Sequence, residues 1–95
     1  MIFHRLVQRD LSAILKHYEN EGGEKLAERF FTEIEAVIAP LRENPQRFHF
    51  VQADLRRADL PSFPYHFLYQ ESPRGIPVLV LRHDRRHPDY GMSRR

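Results

Sequence analysis

The sequence predicts an α+β fold: a short N-terminal strand, then an antiparallel helical hairpin packed on a three- to four-stranded antiparallel sheet. Apolar side chains recur with the helical period through most of the first 45 residues. After Pro45 the pattern changes to aromatic and β-branched residues, which are typical of strands. Short turns connect these later segments, which favours antiparallel neighbours. Helices that precede strands along a chain are typical of the α+β class.

Length and composition indicate one domain, residues 1–95, with room for a single hydrophobic core. The chain has no cysteine, which excludes disulfides and thiolate metal ligands. It has no apolar run of the roughly 18 to 20 residues that a transmembrane helix needs. The first residues lack the apolar segment of a secretory signal, so we expect a cytoplasmic protein. Domains this small are often marginally stable without disulfides, which favours a stabilising partner chain.

Two apolar stripes predict the two helices. The first helix begins between residues 5 and 8 and ends near Asn20, and the second ends at Asn44-Pro45. Gly22-Gly23 connects them, and so short a connection requires antiparallel packing. The stripes consist of Val7, Leu11, Ile14, Leu15 and Tyr18, and of Leu26, Phe30, Ile34, Val37, Ile38 and Leu41.

Five short segments predict the strands: residues 2–4, 48–51, 55–60, 63–69 and 76–83, with a tight turn at 71–75 before the last one. In the 63–69 segment, Tyr65, Phe67 and Tyr69 face one side of the sheet. His66 and Leu68 face the other side, because side chains alternate along a strand. The aromatic set fits a hydrophobic core, its commoner use, or a platform for stacking nucleic-acid bases.

The net charge of +2 is unevenly distributed. Residues 1–45 carry 6 basic and 8 acidic side chains, whereas residues 46–95 carry 9 basic and 5 acidic ones. Arginine supplies 13 of the 15 basic residues, which fits recognition of phosphate or carboxylate, although GC-rich coding explains the bias equally well. The net negative charge of residues 1–45 disfavours a protein that binds nucleic acid over its whole surface.

The segment 82–91 concentrates groups that can bind or protonate a phosphate. It follows the apolar residues 78–81 and contains Arg82, His83, Arg85, Arg86, His87 and Tyr90. A phosphodiester and an acidic protein surface are both suitable ligands for such a cluster. His83 also fits a simple strand-capping role. The interleaved arginine charges disfavour a metal site, and we expect neither a metal nor another cofactor.

The ordered motifs resemble the RelE/ParE superfamily of toxins from bacterial type II toxin–antitoxin modules. They are Asp10-Leu11, Ala27-Glu28-Arg29-Phe30-Phe31, Asn44-Pro45, Leu55-Arg56-Arg57, the 63–69 strand and residues 82–88. They cover nearly the whole chain in the order of the superfamily. The resemblance implies a plasmid-stabilisation-like toxin that arrests growth, and a cognate antitoxin protein that masks it in a toxin–antitoxin hetero-oligomer.

Members of this superfamily differ in target. One branch cuts messenger RNA on the ribosome without a metal, as mRNA interferases, and another inhibits DNA gyrase by protein binding without catalysis. We expect a ribosome-assisted endoribonuclease acting on ribosome-bound mRNA, narrowly ahead of gyrase inhibition. A degenerate, non-toxic member is the third alternative. None of these mechanisms requires a membrane.

For the ribonuclease, the resemblance implies site residues by position. Arg57 matches a basic residue of the second strand, and Arg85 matches the arginine that follows the last strand. His66 stands where cutting members carry an arginine, and His87 or Tyr90 matches the terminal acid/base group. These five are the expected catalytic residues. The expected substrate-binding residues are Arg56, Arg82, His83 and Arg86.

Two positions depart from the cutting members. Asp59 stands where a second lysine is usual, and a carboxylate there repels phosphate. His66 neutralises a phosphorane only when its imidazole is protonated. A ribonuclease site therefore requires Arg57 and His66 to converge with the groups after the last strand on one open concavity.

Overall fold

The structure, a computed structural model, describes residues 2–52, 54–70 and 77–94. Its helical element, α1, spans Arg5–Glu43. The strands are β1 (Ile2–Phe3), β2 (Phe50–Gln52), β3 (Leu55–Asp59), β4 (Tyr65–Gln70) and β5 (Pro77–His83), with 3-10 turns at Pro45–Arg47 and Met92–Arg94. The predicted α+β class is confirmed, while the expected turn at 71–75 lies outside the described residues. No helix in the described ranges is long and apolar enough to cross a bilayer.

α1 is broken at Gly23, where the chain reverses direction. Gly23 has φ 81° and ψ −176°, a conformation that glycine adopts without a steric penalty. The rings of Tyr18 and Phe30 consequently lie 5.2 Å apart, whereas a continuous helix would hold these residues about 18 Å apart. The first arm (residues 5–22) and the second arm (residues 24–43) therefore form the predicted helical hairpin.

The strand order across the sheet is β1-β5-β4-β3-β2. Strands β2 to β5 pair antiparallel, as predicted, whereas β1 joins β5 in parallel, which the sequence did not indicate. The His4 N–H extends this parallel pairing with a 2.8 Å bond to the Val78 carbonyl oxygen. Because β1 is so short, the edge of β5 beyond Val78 must be covered by other groups.

The inner face of the sheet, which the arms cover, carries the hydrophobic core. Tyr65, Phe67 and Tyr69 point to this side from β4, and all three are buried in the core cluster. The ring of Phe30 in the second arm lies 5.5 Å from the ring of Tyr65 and 5.0 Å from that of Phe63. The aromatic strand face is therefore core rather than a stacking platform.

The outer face is covered by the C-terminal residues of the chain itself. Residues 84–94, which we call the tail, turn back over β5. Arg82 donates from Nη1 to the carbonyl oxygens of Pro88, at 2.7 Å, and Tyr90, at 3.0 Å. Gly91 lies directly against the buried side chain of Val80. The tail thereby covers the face of the sheet that lies opposite the two arms.

Candidate functional site

Five ionisable side chains meet on the outer face. The strand register places Asp59 of β3 beside His66 of β4, and His66 beside Arg82 of β5. Arg57 lies on the same face two residues before Asp59. Asp84 reaches the group from the start of the tail. We call these five residues the outer cluster.

His66 lies at the centre of the outer cluster and is only 1% exposed. Its Nε2 accepts a 3.0 Å bond from Nε of Arg82, so Nε2 carries no proton. Nδ1 therefore holds the ring proton and donates it to Oδ1 of Asp84 at 2.8 Å. Burial lowers the pKa of His66 and outweighs the bond to Asp84, which raises it; the charges of Arg57 and Arg82 lower it further. The ring is thus neutral, and both of its nitrogens are occupied.

Arg57 bridges the two carboxylates of the outer cluster. Its Nε and Nη2 lie 2.9 and 2.8 Å from Oδ1 of Asp59, and Nη2 lies 3.4 Å from Oδ1 of Asp84. With Arg82 included, two guanidinium groups face two carboxylates around a neutral imidazole, so the formal charges cancel. This arrangement links β3, β4, β5 and the tail, but it offers no uncompensated positive charge to a phosphate.

Asp59, His66 and Asp84 of the outer cluster are residue types that bind metal ions. Each offers one ligand atom, and these three atoms lie within 4.8 Å of one another. The surrounding donors do not fit a metal ion. A metal ion bound to Nδ1 of His66 would require the ring proton to be on Nε2. That proton would then face the N–H of Arg82 Nε, and two donors cannot form a hydrogen bond with each other. Arg57 already supplies positive charge between the two carboxylates. The donor set therefore favours a guanidinium over a metal.

Lowering the pH is expected to destabilise the protein through His66. Its pKa in the folded state lies below the ordinary value of 6.5, so the unfolded chain binds more protons than the folded one as the pH falls past that value. The free energy of unfolding should therefore decrease from about pH 6.5 downward and be unaffected by this group well above it. Urea titrations between about pH 7.5 and pH 5 measure the change.

His66→Gln is the matched variant for this pH effect. The glutamine amide can accept from Arg82 and donate to Asp84, but it does not titrate. Because the other histidines of the chain are retained, the difference between the two pH profiles isolates His66. An equally steep loss of stability in His66→Gln would show that the pH dependence originates elsewhere.

Asp10 of the first arm is a second buried polar group, and it ties the tail to β5. Its Oδ1 accepts from Nη2 of Arg94 at 3.0 Å and from the Tyr90 hydroxyl at 3.2 Å. Its Oδ2 accepts from Nη1 of Arg94 at 2.6 Å and from the Leu81 N–H at 3.2 Å. The carboxylate thus covers the edge of β5 that the short β1 leaves open. The bonds to Asp10 also raise the pKa of Arg94.

Sequence reasoning did not identify Asp10 as a functional group, although a signal was present. Asp10 follows Val7 by three residues and precedes Ile14 by four, so it shares the apolar stripe of the first helix. A carboxylate on a buried helix face requires hydrogen-bond partners. Its partner Arg94 is 84 positions away, beyond the reach of any local pattern.

The side chains predicted to act on RNA do not converge on one surface. Arg57, His66 and Arg82 meet in the outer cluster. Arg56 follows the opposite alternation of β3, and its Nη1 donates to the Phe48 carbonyl at 2.6 Å. The predicted concavity therefore contains only part of the expected set.

His83, Arg85 and His87 lie at or after the end of β5. The ring of His83 lies 5.0 Å from the ring of Tyr65, on the inner side of the sheet. Its Nδ1 accepts the Arg85 N–H at 3.0 Å, which matches the strand-capping alternative. The side chains of Arg85 and His87 are exposed on the turn that begins the tail.

Tyr90 and Arg86 form a stacked pair in the tail. The guanidinium of Arg86 lies 4.2 Å from the centroid of the Tyr90 ring, and the Tyr90 hydroxyl is bonded to Asp10. Proton donation by this phenol to a leaving group would require the bond to Asp10 to break. The catalytic and substrate-binding roles of all these residues stay predictions.

A helical hairpin packed on an antiparallel sheet is the fold that the resemblance to the RelE/ParE superfamily of toxins implied. Within that class, the model of the family described as "ParE toxin of type II toxin-antitoxin system, parDE" matches residues 1–88, and the chain belongs to this family. A solved structure, "Chromosomal ParDE TA system from P. aeruginosa", is similar with a TM-score of 0.76 and 20% identity, over 85% of this chain and 90% of that one. At 20% sequence identity, this similarity shows a shared fold and nothing beyond it. Among curated proteins, none matches the sequence.

Proposed function

We propose that this protein is the toxin of a ParDE-type toxin–antitoxin module and that it acts by binding DNA gyrase, without cleaving RNA. Growth arrest, relieved by the cognate antitoxin, is the expected phenotype. The observation that carries the proposal is the outer cluster, where Arg57 and His66 are already bonded to groups of the protein itself. Membership of the ParE family supports gyrase as the target, because ParE-type members of the superfamily are the gyrase inhibitors.

RNA cleavage through the 2′-hydroxyl needs a base, an acid and positive charge beside the phosphorane. His66 is an unsuitable base because it is buried and its unprotonated nitrogen already accepts from Arg82. The positive charge of Arg57 is compensated by two carboxylates. Tyr90, one of the two expected acid/base groups, donates its proton to Asp10. Binding to a protein target requires none of these groups to be free.

Two assays with the purified protein test the mechanism. In the first, DNA gyrase supercoils relaxed plasmid in the presence of the protein, and we expect supercoiling to stop. In the second, messenger RNA is followed in a translating extract, and we expect the transcripts to stay intact. Transcript cleavage that is lost in both Arg85→Ala and Tyr90→Phe, with supercoiling unaffected, would establish the ribonuclease and remove the gyrase proposal.

We further propose that the antitoxin binds in an apolar groove of about 340 Å³ between the two arms and β1. Leu11 and Ile38 contribute to its walls, and Phe3 and Phe31 border it. Phe31 is 42% exposed, so a large apolar surface is left in contact with water. The apolar face of an antitoxin helix is the occupant that such a groove between helices accepts. Covering it would also stabilise a domain that is small for an independent fold.

Phe31→Ser is expected to weaken antitoxin binding by about 30-fold, which corresponds to the roughly 2 kcal/mol of an aromatic anchor. Phe50→Ser is the matched control, because Phe50 is similarly exposed, at 53%, but lies on β2 at the far edge of the sheet. Isothermal titration calorimetry with the cognate antitoxin measures both. If only Phe50→Ser weakened antitoxin binding, the antitoxin would bind at the β2 edge, and the proposal that it binds in the groove would be wrong.

A further inference from the structure

A cleft of about 250 Å³ lies at the end of β5, between the first arm and the tail. Polar side chains line it from three elements: His17 from the first arm, His83 from β5 and Arg86 from the tail. Arg82, a member of the outer cluster, also lines this cleft. The two sites otherwise differ, because His83 and His66 alternate to opposite faces of the sheet.

The cleft offers hydrogen-bond donors that have no acceptor. Nδ1 of His83 accepts the Arg85 N–H at 3.0 Å, so the ring proton is on Nε2. Within residues 2–52, 54–70 and 77–94, no acceptor bonds to this Nε2, to the His17 ring or to the Arg86 guanidinium. Arg86 instead stacks on the ring of Tyr90, which holds its charge at the mouth of the cleft.

Asp10 is the carboxylate that the described residues contribute to the cleft, and it cannot serve these donors. Its two oxygens already accept four hydrogen bonds, from Arg94, Tyr90 and Leu81. The bidentate pair with Arg94 also neutralises its charge. The cleft therefore has an excess of positive charge and of donors, and it suits an anionic acceptor.

We propose that this cleft binds the carboxylate of a glutamate or aspartate side chain from a protein partner, an inference that rests on the proposed action through protein binding. A guanidinium such as that of Arg86 binds both oxygens of a carboxylate, and the two imidazoles supply flanking donors. Ala13 and Ile14 give the cleft apolar walls that suit the methylene groups of an acidic side chain. A nucleic-acid phosphate suits it less, because the apolar walls formed by Ala13 and Ile14 offer its oxygens no hydrogen-bond donor.

Nuclear magnetic resonance titration of the full chain tests the cleft directly. The probes are the blocked peptide acetyl-Ala-Glu-Ala-amide, its glutamine counterpart and inorganic phosphate. We expect the glutamate peptide to shift the imidazole signals of His17 and His83 and the Nε signal of Arg86 in a saturable way. The glutamine peptide should leave them unchanged. Tighter binding of inorganic phosphate than of the glutamate peptide would overturn the assignment to an acidic protein segment.

Arg86→Gln should weaken binding of the glutamate peptide by about tenfold, the usual loss for one charge-assisted hydrogen bond. Lys16→Gln is the control, since Lys16 is an exposed cation next to His17 that does not line the cleft. Equal weakening in both variants would indicate general electrostatic attraction and overturn the site. If the peptide fails to bind while gyrase is still inhibited, only the cleft is refuted. If the peptide binds but gyrase is unaffected, only the proposed function is refuted.

Discussion

Asp10→Ala is expected to lower the free energy of unfolding by about 3 to 5 kcal/mol, the usual loss when one partner of a buried ion pair is removed. The side chain of Arg94 is only 10% exposed, so its charge would remain buried without a counterion. The Tyr90 hydroxyl and the Leu81 N–H would lose their acceptor as well. The free energy of unfolding of a small domain is roughly 5 to 15 kcal/mol in total. A loss of this size should therefore lower the melting temperature by at least about 10 °C.

Urea and thermal unfolding of Asp10→Ala measure this loss, and Arg94→Met provides the comparison. Arg94→Met removes the buried charge and keeps most of the apolar contact of the side chain. The double variant should therefore lose less than the sum of the two single variants, because neither charge is left unpaired. Simple additivity, or a loss below about 1 kcal/mol in Asp10→Ala, would show that this pair does not hold the tail.

The helical hairpin and the aromatic strand could be predicted because their signals are local. The apolar stripes place Phe30 and its neighbours on one helix face, and the core uses those same positions. Gly23 follows the first stripe and supplies the positive φ that ends it. Alternation along β4 separates Tyr65 from His66, which indeed lie on opposite faces.

The candidate site could be predicted only in part, because its contacts join residues far apart in sequence. The alternation indicates that His66 faces away from the aromatic core, but it does not reveal that Asp84 and Arg82 occupy both ring nitrogens. The resemblance to RNA-cutting members marks Arg57 as a phosphate ligand, whereas its charge is compensated by Asp59 and Asp84. A cationic motif in a sequence therefore predicts phosphate chemistry only after its internal carboxylate partners are known.

The parallel pairing of β1 and the course of the tail had no local signal at all. Two residues, Ile2–Phe3, are too few to show a strand partner in their pattern. The tail is fixed by contacts such as Arg94 with Asp10, which depend on the finished fold. The substrate-binding role expected for Arg86 was based on the cluster of basic groups in residues 82–91 and on the family resemblance, and the structure places Arg86 beside a cleft on the other side of β5.

Gly91→Ala is expected to destabilise the protein by about 2 to 4 kcal/mol and to detach the tail from the outer face. Gly91 has φ 84°, which costs a non-glycine residue about 1 to 2 kcal/mol. A methyl group there would also lie 2.7 Å from Cγ2 of Val80, which is fully buried and cannot yield without disturbing the sheet. Gly23→Ala is the control for backbone strain alone, since a methyl group at that position meets no atom within 4 Å.

Val80→Ala relieves part of the contact at Gly91, because it removes Cγ1 and Cγ2 of Val80 and keeps Cβ, which lies 2.8 Å from a methyl group at position 91. Val80→Ala alone should destabilise the protein by leaving a small cavity. If contact with Val80 dominates, Gly91→Ala should cost clearly less in the Val80→Ala background than in the wild type. Loss of dispersion in the amide signals of residues 84–94, with the arms unchanged, would show that the tail alone is released. An equal cost of Gly91→Ala in both backgrounds would instead show that the methyl groups of Val80 contribute nothing to it, and the cost would then come from the backbone conformation of Gly91 and the close approach of the Val80 Cβ.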